Sequence, residues 1–235
     1  MTLTQLQHDL HALQNPAKAV ILARFFKTGK GEYGEGDQFL GITVPQTREV
    51  VKRYHTTITL LEIKQLLHDP FHEMRLAALL LLVEKFKKAS EVERKQIVDF
   101  YLDNAKFVNN WDLVDLSAHY ILGAYLLDKP NERAKLDVLA HSLNLWERRI
   151  AIVSTFAFIR NRKFEDTFRI AIILIHDKHD LIHKAVGWML REVGKKNEKA
   201  LEEFLQKHYT DMPRTMLRCA IERFSEEKRL RYMKG

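Results

Sequence analysis

Cysteine is almost absent from this chain of 235 residues, since Cys219 is its only one. A single cysteine excludes a disulfide framework and a zinc site built from cysteines. Long apolar runs are missing too: the longest, Leu76 to Val83, is far shorter than the roughly 18 residues that span a bilayer. The N-terminus has no signal-peptide pattern. We therefore expect a cytoplasmic protein that is not inserted in a membrane.

Proline and glycine are scarce outside one segment, and this scarcity indicates a helical protein. The five prolines all fall where a helix would begin, the position that proline tolerates best. Five of the nine glycines lie between Gly29 and Gly41, whereas residues 42–235 hold only four. The predicted helices are 3–14, 17–27, 45–55, 59–68, 71–88, 91–103, 111–127, 131–141, 145–160, 164–176, 179–194, 197–207, 213–224 and 226–233.

The charge balance is basic, with 38 lysines and arginines against 31 aspartates and glutamates, a net charge of +7. An excess of this sign suits a polyanionic partner. The alternative is that the protein is one of many mildly basic proteins without such a partner.

A short pattern recurs along the chain. A basic residue followed by small and apolar residues stands at Arg75, Arg149, Lys184 and Arg218, with separations of 74, 35 and 34 positions. The first separation is two periods, and Asp112 stands at its midpoint. A period of this size is typical of HEAT or armadillo repeats, in which helical hairpins stack.

We therefore predict an all-α fold, an α-solenoid of HEAT-like helical repeats that forms one domain over residues 1–235. Such a stack has a concave surface, and equivalent basic positions would form a stripe along it, giving a basic groove. A stripe of cations suits a phosphate backbone. The alternative is that these cations pair with carboxylates of neighbouring repeats.

Further cations support contact with phosphates. Lys184, Trp188 and Arg191 follow i, i+4, i+7 spacing, so one helix face carries a cation, an indole and a second cation. Other cations cluster at predicted helix ends, which are also ordinary solvated positions. The candidate phosphate-contacting residues of the helices are Arg75, Arg148, Arg149, Arg160, Arg162, Lys163, Lys184, Arg191 and Arg218.

The segment from Trp111 to Asp115 places an indole and a carboxylate one helical turn apart, on the same face. Asp115 follows two apolar residues, so its carboxylate is expected to be partly desolvated and able to hold a developing positive charge. The alternative is that Trp111 belongs to the core and that Asp112 or Asp115 caps or pairs locally.

The glycine-rich segment at about 27–41 cannot be helical, because glycine disfavours helix interiors. Alternation of Lys27, Gly29, Gly31 and Tyr33 before a glycine turn predicts an inserted β-hairpin. A projecting hairpin with Lys27, Lys30 and Tyr33 would contact an opened or branched duplex. The alternative is an inert surface loop.

Several segments resemble a known family. They are Asn15-Pro16, Ala23-Arg24-Phe25-Phe26, Phe39-Leu40-Gly41-Ile42 with Pro45, Trp111-Asp112-Leu113-Val114-Asp115, Leu145-Trp146-Glu147-Arg148-Arg149 and Lys184-Ala185-Val186-Gly187-Trp188-Met189-Leu190-Arg191-Glu192. With these segments in this order, the whole chain resembles the AlkD-type HEAT-like-repeat proteins of DNA alkylation repair. The founding members are glycosylases that remove cationic alkylated purines from DNA without inserting the base into a tight pocket.

The resemblance implies roles for four residues. Asp115 matches the catalytic carboxylate, Trp111 and Trp188 match two indoles beside the lesion sugar, and Arg149 matches an arginine near the phosphate. A carboxylate and indoles would stabilise an oxocarbenium-like sugar as the glycosidic bond breaks. The resemblance implies neither a cofactor nor a metal.

The sequence also departs from the glycosylase pattern. Asn110 stands where these enzymes often have a tryptophan, and Phe25 stands where they tend to have a tyrosine. The insertion resembles that of the AlkF-like branch, which is associated with binding branched DNA rather than with base excision.

Three hypotheses about function follow. The first is a DNA-repair-related protein that binds branched or damaged DNA, associates with the nucleoid when bound and acts as a monomer, since no coiled-coil heptad is present. The second is a DNA glycosylase that excises N3- or N7-alkylated purines with Asp115. The third is a helical-repeat scaffold that binds another protein.

Overall fold

The protein is all-helical in the residues that the computed structural model describes, 2–233. Within that range there is no β-strand, only an isolated parallel bridge between Gln38 and Phe71. The α-helices are α1 (Leu3–His11), α2 (Pro16–Phe25), α3 (Val44–Tyr54), α4 (Leu60–Leu67), α5 (His72–Lys88), α6 (Glu91–Asp103), α7 (Trp111–Asp115), α8 (Ala124–Leu126), α9 (Ala134–Ala140), α10 (Leu145–Ser154), α11 (Phe156–Arg160), α12 (Glu165–Ile173), α13 (Asp180–Lys196), α14 (Glu198–His208), α15 (Arg214–Ala220) and α16 (Glu226–Met233). The all-α fold class is confirmed.

Side-chain caps set most of the helix starts. A cap satisfies one of the amide groups that the first turn of a helix leaves without an intrahelical partner. Helices α1, α3, α4 and α6 begin with capping boxes at Thr2, Thr43, Thr59 and Ser90, and Asn15 caps α2, which starts at Pro16. These helix starts are therefore determined by side chains that are close to them in sequence.

The chain forms two compact units, Met1–Ser117 and Ala118–Gly235. In the first unit, α5 is buried along most of its length and packs against α3, α4, α6 and α7. In the second unit, α13 is the central helix and packs against α10, α11, α12, α14 and α15. Each unit therefore has a long central helix with shorter helices around it.

Two predicted helices are interrupted. The prediction of one helix over 111–127 is wrong, because α7 ends at Asp115 and a π-helical turn at His119–Gly123 precedes α8. In that turn the Gly123 amide donates to the Ala118 carbonyl, 3.0 Å away. The predicted helix 145–160 divides at Thr155, between α10 and α11. Helix propensity did not reveal either break.

The predicted β-hairpin is also wrong: the segment 27–37 folds as a succession of turns. Its own carboxylates accept hydrogen bonds from its amides, Gly29 to Glu32 at 2.9 Å and Gly31 to Glu35 at 2.8 Å. Amides bound in this way cannot form a strand ladder. The glycine content correctly predicts that the helix is interrupted here. The turns that form, however, do not join two strands.

Candidate functional site

Helix α7 carries the indole and carboxylate that the sequence singled out. The Asn110 side chain begins the helix by accepting a hydrogen bond from the Trp111 amide at 2.8 Å. Both Trp111 and Asp115 are partly exposed. Burial raises the pKa of the neighbouring Tyr101, and the negative charge of Asp115 adds to that rise. Asp115 therefore lies close to a buried phenol while keeping part of its surface open.

Trp111 is held by an aromatic cluster that includes Phe25, Phe26, Phe39 and His72. Phe26 lies between Trp111 and Phe39, with ring centroids 5.2 and 5.1 Å apart and both pairs stacked. Phe25 meets Trp111 edge-on at 5.9 Å, and 61% of Phe25 remains exposed. Such pairs stabilise by about 0.5–1.5 kcal/mol beyond burial. The indole is thus fixed from one side and leaves an aromatic surface open to solvent.

A buried ionic network lies beneath this cluster. The imidazole of His72 donates from Nδ1 to Asp37 at 2.9 Å and from Nε2 to Asp112 at 2.8 Å. Arg75 donates to the second oxygen of Asp37 at 2.5 Å and to two carbonyl groups, those of Asp69 and Pro70. The network ties the 27–37 segment to α5 and to α7.

The protonation of the network follows from its geometry. Burial opposes the charge on His72, but the charges and hydrogen bonds of Asp112 and Asp37 outweigh burial and raise the pKa of His72 to about 9. Burial also opposes ionisation of Asp37, yet His72 and Arg75 together hold the pKa of that carboxyl below its usual value. At neutral pH the network therefore contains an imidazolium that is hydrogen-bonded to Asp37 and to Asp112.

A second buried carboxylate holds the end of the glycine-rich segment. Glu73, 2% exposed, accepts hydrogen bonds from the amides of Leu40, Gly41 and Ile42 at 2.8–3.1 Å. Gly41 has a φ of +84°, and a Cβ atom there would lie 2.1 Å from the Asn15 carbonyl oxygen. The geometry of this turn thus depends on the absence of a side chain at Gly41 and on the carboxylate of Glu73.

The other two residues of the implied catalytic set belong to the second unit. Trp188 is partly exposed on α13, donates to Glu192 at 3.2 Å and has Phe156 at 5.9 Å between ring centroids. Arg149 is only 5% exposed and donates to the Leu181 carbonyl at 2.6 Å. The structure therefore brings Trp111 and Asp115 together in one unit, and their relation to Trp188 and Arg149 stays a prediction.

The predicted phosphate contacts divide into buried and exposed cations. Arg75 is 5% exposed and Arg149 equally so, and both are committed to carbonyl groups. Arg148 binds Asp177 at 2.6 Å with 18% of its side chain exposed, and Arg191 binds Glu222. The exposed members of the predicted set are Arg160, Arg162, Lys163, Lys184 and Arg218.

Arg75 forms a carboxylate pair of the kind that the alternative to a basic stripe describes. Its guanidinium has a carboxylate and two carbonyl groups as partners and almost no surface for a phosphate. Lys184 is exposed, although it pairs with Asp180 one turn earlier in its own helix at 2.7 Å. Surface pairs of this kind are weak, so Lys184 remains able to exchange partners.

A clamp recurs at the start of three helices, and at two of them it lies one residue before the predicted position. Arg75 donates to the carbonyl groups six and five residues before it. Arg148 does the same, to Ser142 and Leu143 at 2.9 and 3.0 Å. His183 binds the carbonyl group of Asp177, again six residues back. The equivalent positions by contact are thus 75, 148 and 183, where the sequence pattern gave 75, 149 and 184.

The cations of the 27–37 segment are exposed, although the segment is not a hairpin. Lys27 and Lys30 are exposed, Tyr33 is partly exposed, and Lys27 lies 4.0 Å from Glu32. Gly34 is buried, and a Cβ atom there would lie 2.5 Å from the Phe26 carbonyl oxygen and 3.5 Å from the side-chain Nδ2 atom of Asn110. The segment therefore packs against the start of α7.

Sequence reasoning missed the residues that support α7. His72, Asp37 and Glu73 belong to no motif, and the two carboxylates of the network are 35 and 40 positions away from His72. The local signal in the sequence is the presence of ionisable residues at the start of an otherwise apolar helix such as α5. Such residues are rarely buried unless they are paired.

Neither a membrane-spanning helix nor a metal-binding group is present in the part of the chain that the structure describes. Between residues 2 and 233, no helix has the length and apolar character needed to cross a membrane. Within the same range, no group of three or more histidine, cysteine, aspartate or glutamate side chains is arranged to hold a metal ion.

The fold and site thus define an all-helical protein with an aromatic and acidic patch at α7 and with exposed cations in both units. Residues 6–224 match the family model described as DNA alkylation repair enzyme. The chain belongs to that family, as the resemblance implied, and the family is one of DNA repair.

A solved structure shares the fold. It is described as a predicted DNA alkylation repair enzyme from Enterococcus faecalis and matches with a TM-score of 0.72 over 91% of this chain and 97% of that chain. At 19% identity, this similarity concerns the fold alone. No curated protein matches the sequence.

Proposed function

We propose that this protein acts in DNA repair by binding damaged or branched DNA through its exposed cations and the aromatic patch beside Trp111. The observation that carries the proposal is a cluster of three exposed cations, Arg160, Arg162 and Lys163, where α11 ends. Cations at the end of a helix are accessible from solvent. Three such cations side by side can contact successive phosphates of a DNA backbone. Membership of a DNA-repair family supports the same partner.

The helical pairs are proposed to be HEAT-like repeats of one domain. The clamp shared by Arg75, Arg148 and His183 supports repetition, because each fixes the turn before its helix in the same way. The family match supports one domain, because it runs from residue 6 to residue 224 and so crosses both compact units.

The 27–37 segment is proposed to favour branched over plain duplex DNA. The support is its position at the start of α7 together with the exposure of Lys27 and Lys30. Turns that Asp37 ties to His72 and Arg75 are stiffer than a free loop, and a stiff element loses less entropy on binding.

Fluorescence anisotropy with a plain duplex, an alkylated duplex and a three-way junction tests the DNA-binding proposal. Lys27→Gln/Lys30→Gln should weaken junction binding more than duplex binding. Lys52→Gln/Lys64→Gln is the matched control, since both lysines are exposed in the same unit. Equal losses for both double variants would refute the role of the segment, and absence of binding to all three DNAs would favour the protein scaffold.

A second candidate function is excision of alkylated purines, and α7 favours it. Asp115 is one turn from Trp111, keeps part of its surface open and would face a cationic lesion or an oxocarbenium-like sugar. The replaced residues Asn110 and Phe25 count against it. Asn110 is fully buried as a cap, and Phe25 offers no hydroxyl group.

Release of 7-methylguanine or 3-methyladenine from alkylated DNA tests this second function. If the protein is a glycosylase, Asp115→Asn should lower the release rate by a factor of at least about 100, since the carboxylate charge is lost. Asp103→Asn, at the end of α6, is the control. Release at the same rate in both variants would exclude Asp115 as the catalytic group.

A further inference from the structure

A pocket of about 460 Å³ lies within the first unit, between α2 and α5. The turn at residues 39–43 closes it, and its walls are mainly apolar. This volume lies within the range of pockets that hold small organic groups, about 300–1,000 Å³. The DNA-binding proposal uses the aromatic patch next to the pocket but not the pocket itself.

Helix α2 supplies one wall of the pocket through a single face. Lys18, Ile21 and Phe25 line the pocket and recur three and four residues apart, so they share that face. The helix has no buried residue, although most of its side chains are apolar. Ile21 remains 66% exposed and Phe25 61%. Apolar side chains left open in this way mark a surface that a partner covers.

The opposite wall is apolar and fixed in shape. Phe39, Ile42 and Leu76 line it and are buried in the core. Glu73 holds the backbone of residues 40–42 by accepting three amide hydrogen bonds. Because this wall is already ordered, a ligand does not have to order it on binding.

Lys18 is the exposed charge among the described residues that line the pocket. The two acidic residues of the wall, Glu73 and Asp112, are buried. Both oxygens of Glu73 accept backbone amides, and Asp112 accepts from the imidazolium of His72 at 2.8 Å. A ligand therefore meets apolar walls and the ammonium group of Lys18.

The chain around α2 is basic throughout. Residues 10–31 include no aspartate or glutamate, but they include four exposed cations, Lys18, Arg24, Lys27 and Lys30. Lys18 therefore has no carboxylate one turn away in its own helix. Because the cations continue beyond the pocket, they favour a ligand with several carboxylates over a ligand with one.

The same cations count against other occupants of the pocket. A two-fold dimer through α2 would bring the cations of two copies together. A membrane surface attracts basic and apolar helices, but a flat bilayer surface would reach only the rim and leave the concave space empty. Phosphates of DNA would pair with the cations and leave the apolar walls uncovered. An acidic peptide with a large apolar side chain covers both kinds of surface.

We propose that this pocket docks an acidic peptide segment of a partner protein. A large apolar side chain of that segment, aromatic or aliphatic, lies between α2 and α5 against Ile21 and Phe25. Neighbouring carboxylates of the segment pair with Lys18 and with the cations that follow α2. Burial of the side chain supplies affinity, and the carboxylates supply orientation and speed of association. The proposal goes beyond DNA binding and does not depend on it.

Fluorescence anisotropy with a fluorescein-labelled peptide, Gly-Asp-Asp-Phe-Leu-Asp-Asp, tests the docking. The full chain should bind this peptide, and two control peptides should bind at least about tenfold more weakly. One control has Ser-Ser in place of Phe-Leu and so lacks the apolar side chains. The other has asparagine in place of every aspartate and so lacks the negative charges.

Two pairs of variants assign the binding to the pocket. Ile21→Asn should weaken binding of the acidic peptide at least about tenfold. Val20→Asn should leave it within about twofold, because Val20 is 55% exposed on the same helix but does not line the pocket. Lys18→Gln should weaken binding by about twofold to fivefold. Arg24→Gln removes the same charge from the same helix without lining the pocket and should have a smaller effect.

Methyl NMR locates the peptide independently of the variants. The peptide should shift the methyl signals of Ile21 and Ile42, which both line the pocket. The methyl signal of Ile97 should stay unchanged, because Ile97 lines a different pocket of the same unit.

Three results would overturn the proposal: no binding of the acidic peptide at about 1 mM protein, equal losses in Ile21→Asn and Val20→Asn, or methyl shifts that spare Ile21 and Ile42. Binding of anionic phospholipid vesicles without binding of the peptide would assign α2 to a membrane surface and would also overturn it. Peptide binding by a protein that binds none of the DNAs would leave the docking site standing and refute the proposed function.

Discussion

The His72 network of the first compact unit and the end of α11 in the second unit use charged side chains in opposite ways. In Met1–Ser117, His72, Arg75 and Glu73 are buried and are satisfied by carboxylates or by backbone groups. In Ala118–Gly235, the cations at the end of α11 are exposed to solvent. Buried charges fix geometry, whereas exposed charges attract a partner. The comparison indicates that the buried network shapes the patch beside Trp111, whereas the cations at the end of α11 are open to a polyanionic partner.

The largest expected effect concerns Glu73 in the first unit. Glu73→Gln should destabilise the protein by about 3–5 kcal/mol, because the one carbonyl oxygen of glutamine can accept from only part of the three backbone N–H groups, and its NH2 group would face another N–H donor in a buried site. Urea unfolding measures the change. Glu84→Gln, in the same helix and paired only with Lys87 at the surface, should change stability by less than about 0.5 kcal/mol. Similar losses in both variants would remove the contrast between buried and exposed charge.

The next effect is a dependence of the unfolding free energy on pH, which is due to His72. Its pKa is raised from 6.5 to about 9 in the folded protein, so its contribution is fully present below pH 6.5 and is lost as the pH rises through about 9. The loss should amount to about 3 kcal/mol over that interval. It is measured as the difference in unfolding free energy between pH 6 and pH 9.5.

His72→Gln should remove this pH-dependent loss, whereas His141→Gln, at an exposed histidine of the second unit, should preserve it. An unchanged pH profile in His72→Gln would show that the imidazole is not charged in the folded protein. The first unit would then lack the ionic network that distinguishes it.

A smaller difference in unfolding free energy is expected between two glycines of the glycine-rich segment. It separates a steric clash of the added Cβ atom from strain of the backbone. Gly41 and Gly36 have similar positive φ angles, +84° and +80°, but only Gly41 would bring a Cβ atom against other atoms. Gly36→Ala should cost about 1 kcal/mol through strain alone. Gly41→Ala should cost about 1–3 kcal/mol more, because the chain around Asn15 must move. Thermal or urea unfolding of the two variants gives the difference, and equal costs would contradict the tight turn at Gly41.

Much of the fold was predictable because its signals are local. Proline, Asn and Thr at helix starts and apolar periodicity defined most helices, and the indole and carboxylate of α7 followed from their spacing. The π-helical turn at His119–Gly123 has no such signal, because the shift in hydrogen bonding depends on packing. The turns at 27–37 differ from a hairpin because Glu32 and Glu35 bind nearby amides, a choice that glycine content does not determine.

The support of the candidate site was not predictable from one sequence. His72 meets Asp37 and Asp112 only after the chain has folded, and no spacing rule links residues so far apart. The recurring contact of Arg75 is made by Arg148 and not by Arg149, because the two arginines are adjacent in sequence and only the contacts distinguish them. Arg148 forms the recurring clamp, while Arg149 reaches the Leu181 carbonyl.

The central claim, that exposed cations of the second unit hold DNA, is tested most directly by the salt dependence of binding. Wild-type protein should lose affinity linearly on a log–log plot, and Arg160→Gln/Arg162→Gln/Lys163→Gln should reduce the slope by roughly 2–3, about one for each phosphate contact. Lys199→Gln/Lys207→Gln/Arg229→Gln removes the same charge from exposed positions of the same unit. A slope unchanged in the first triple variant, or reduced equally in both, would contradict the claim.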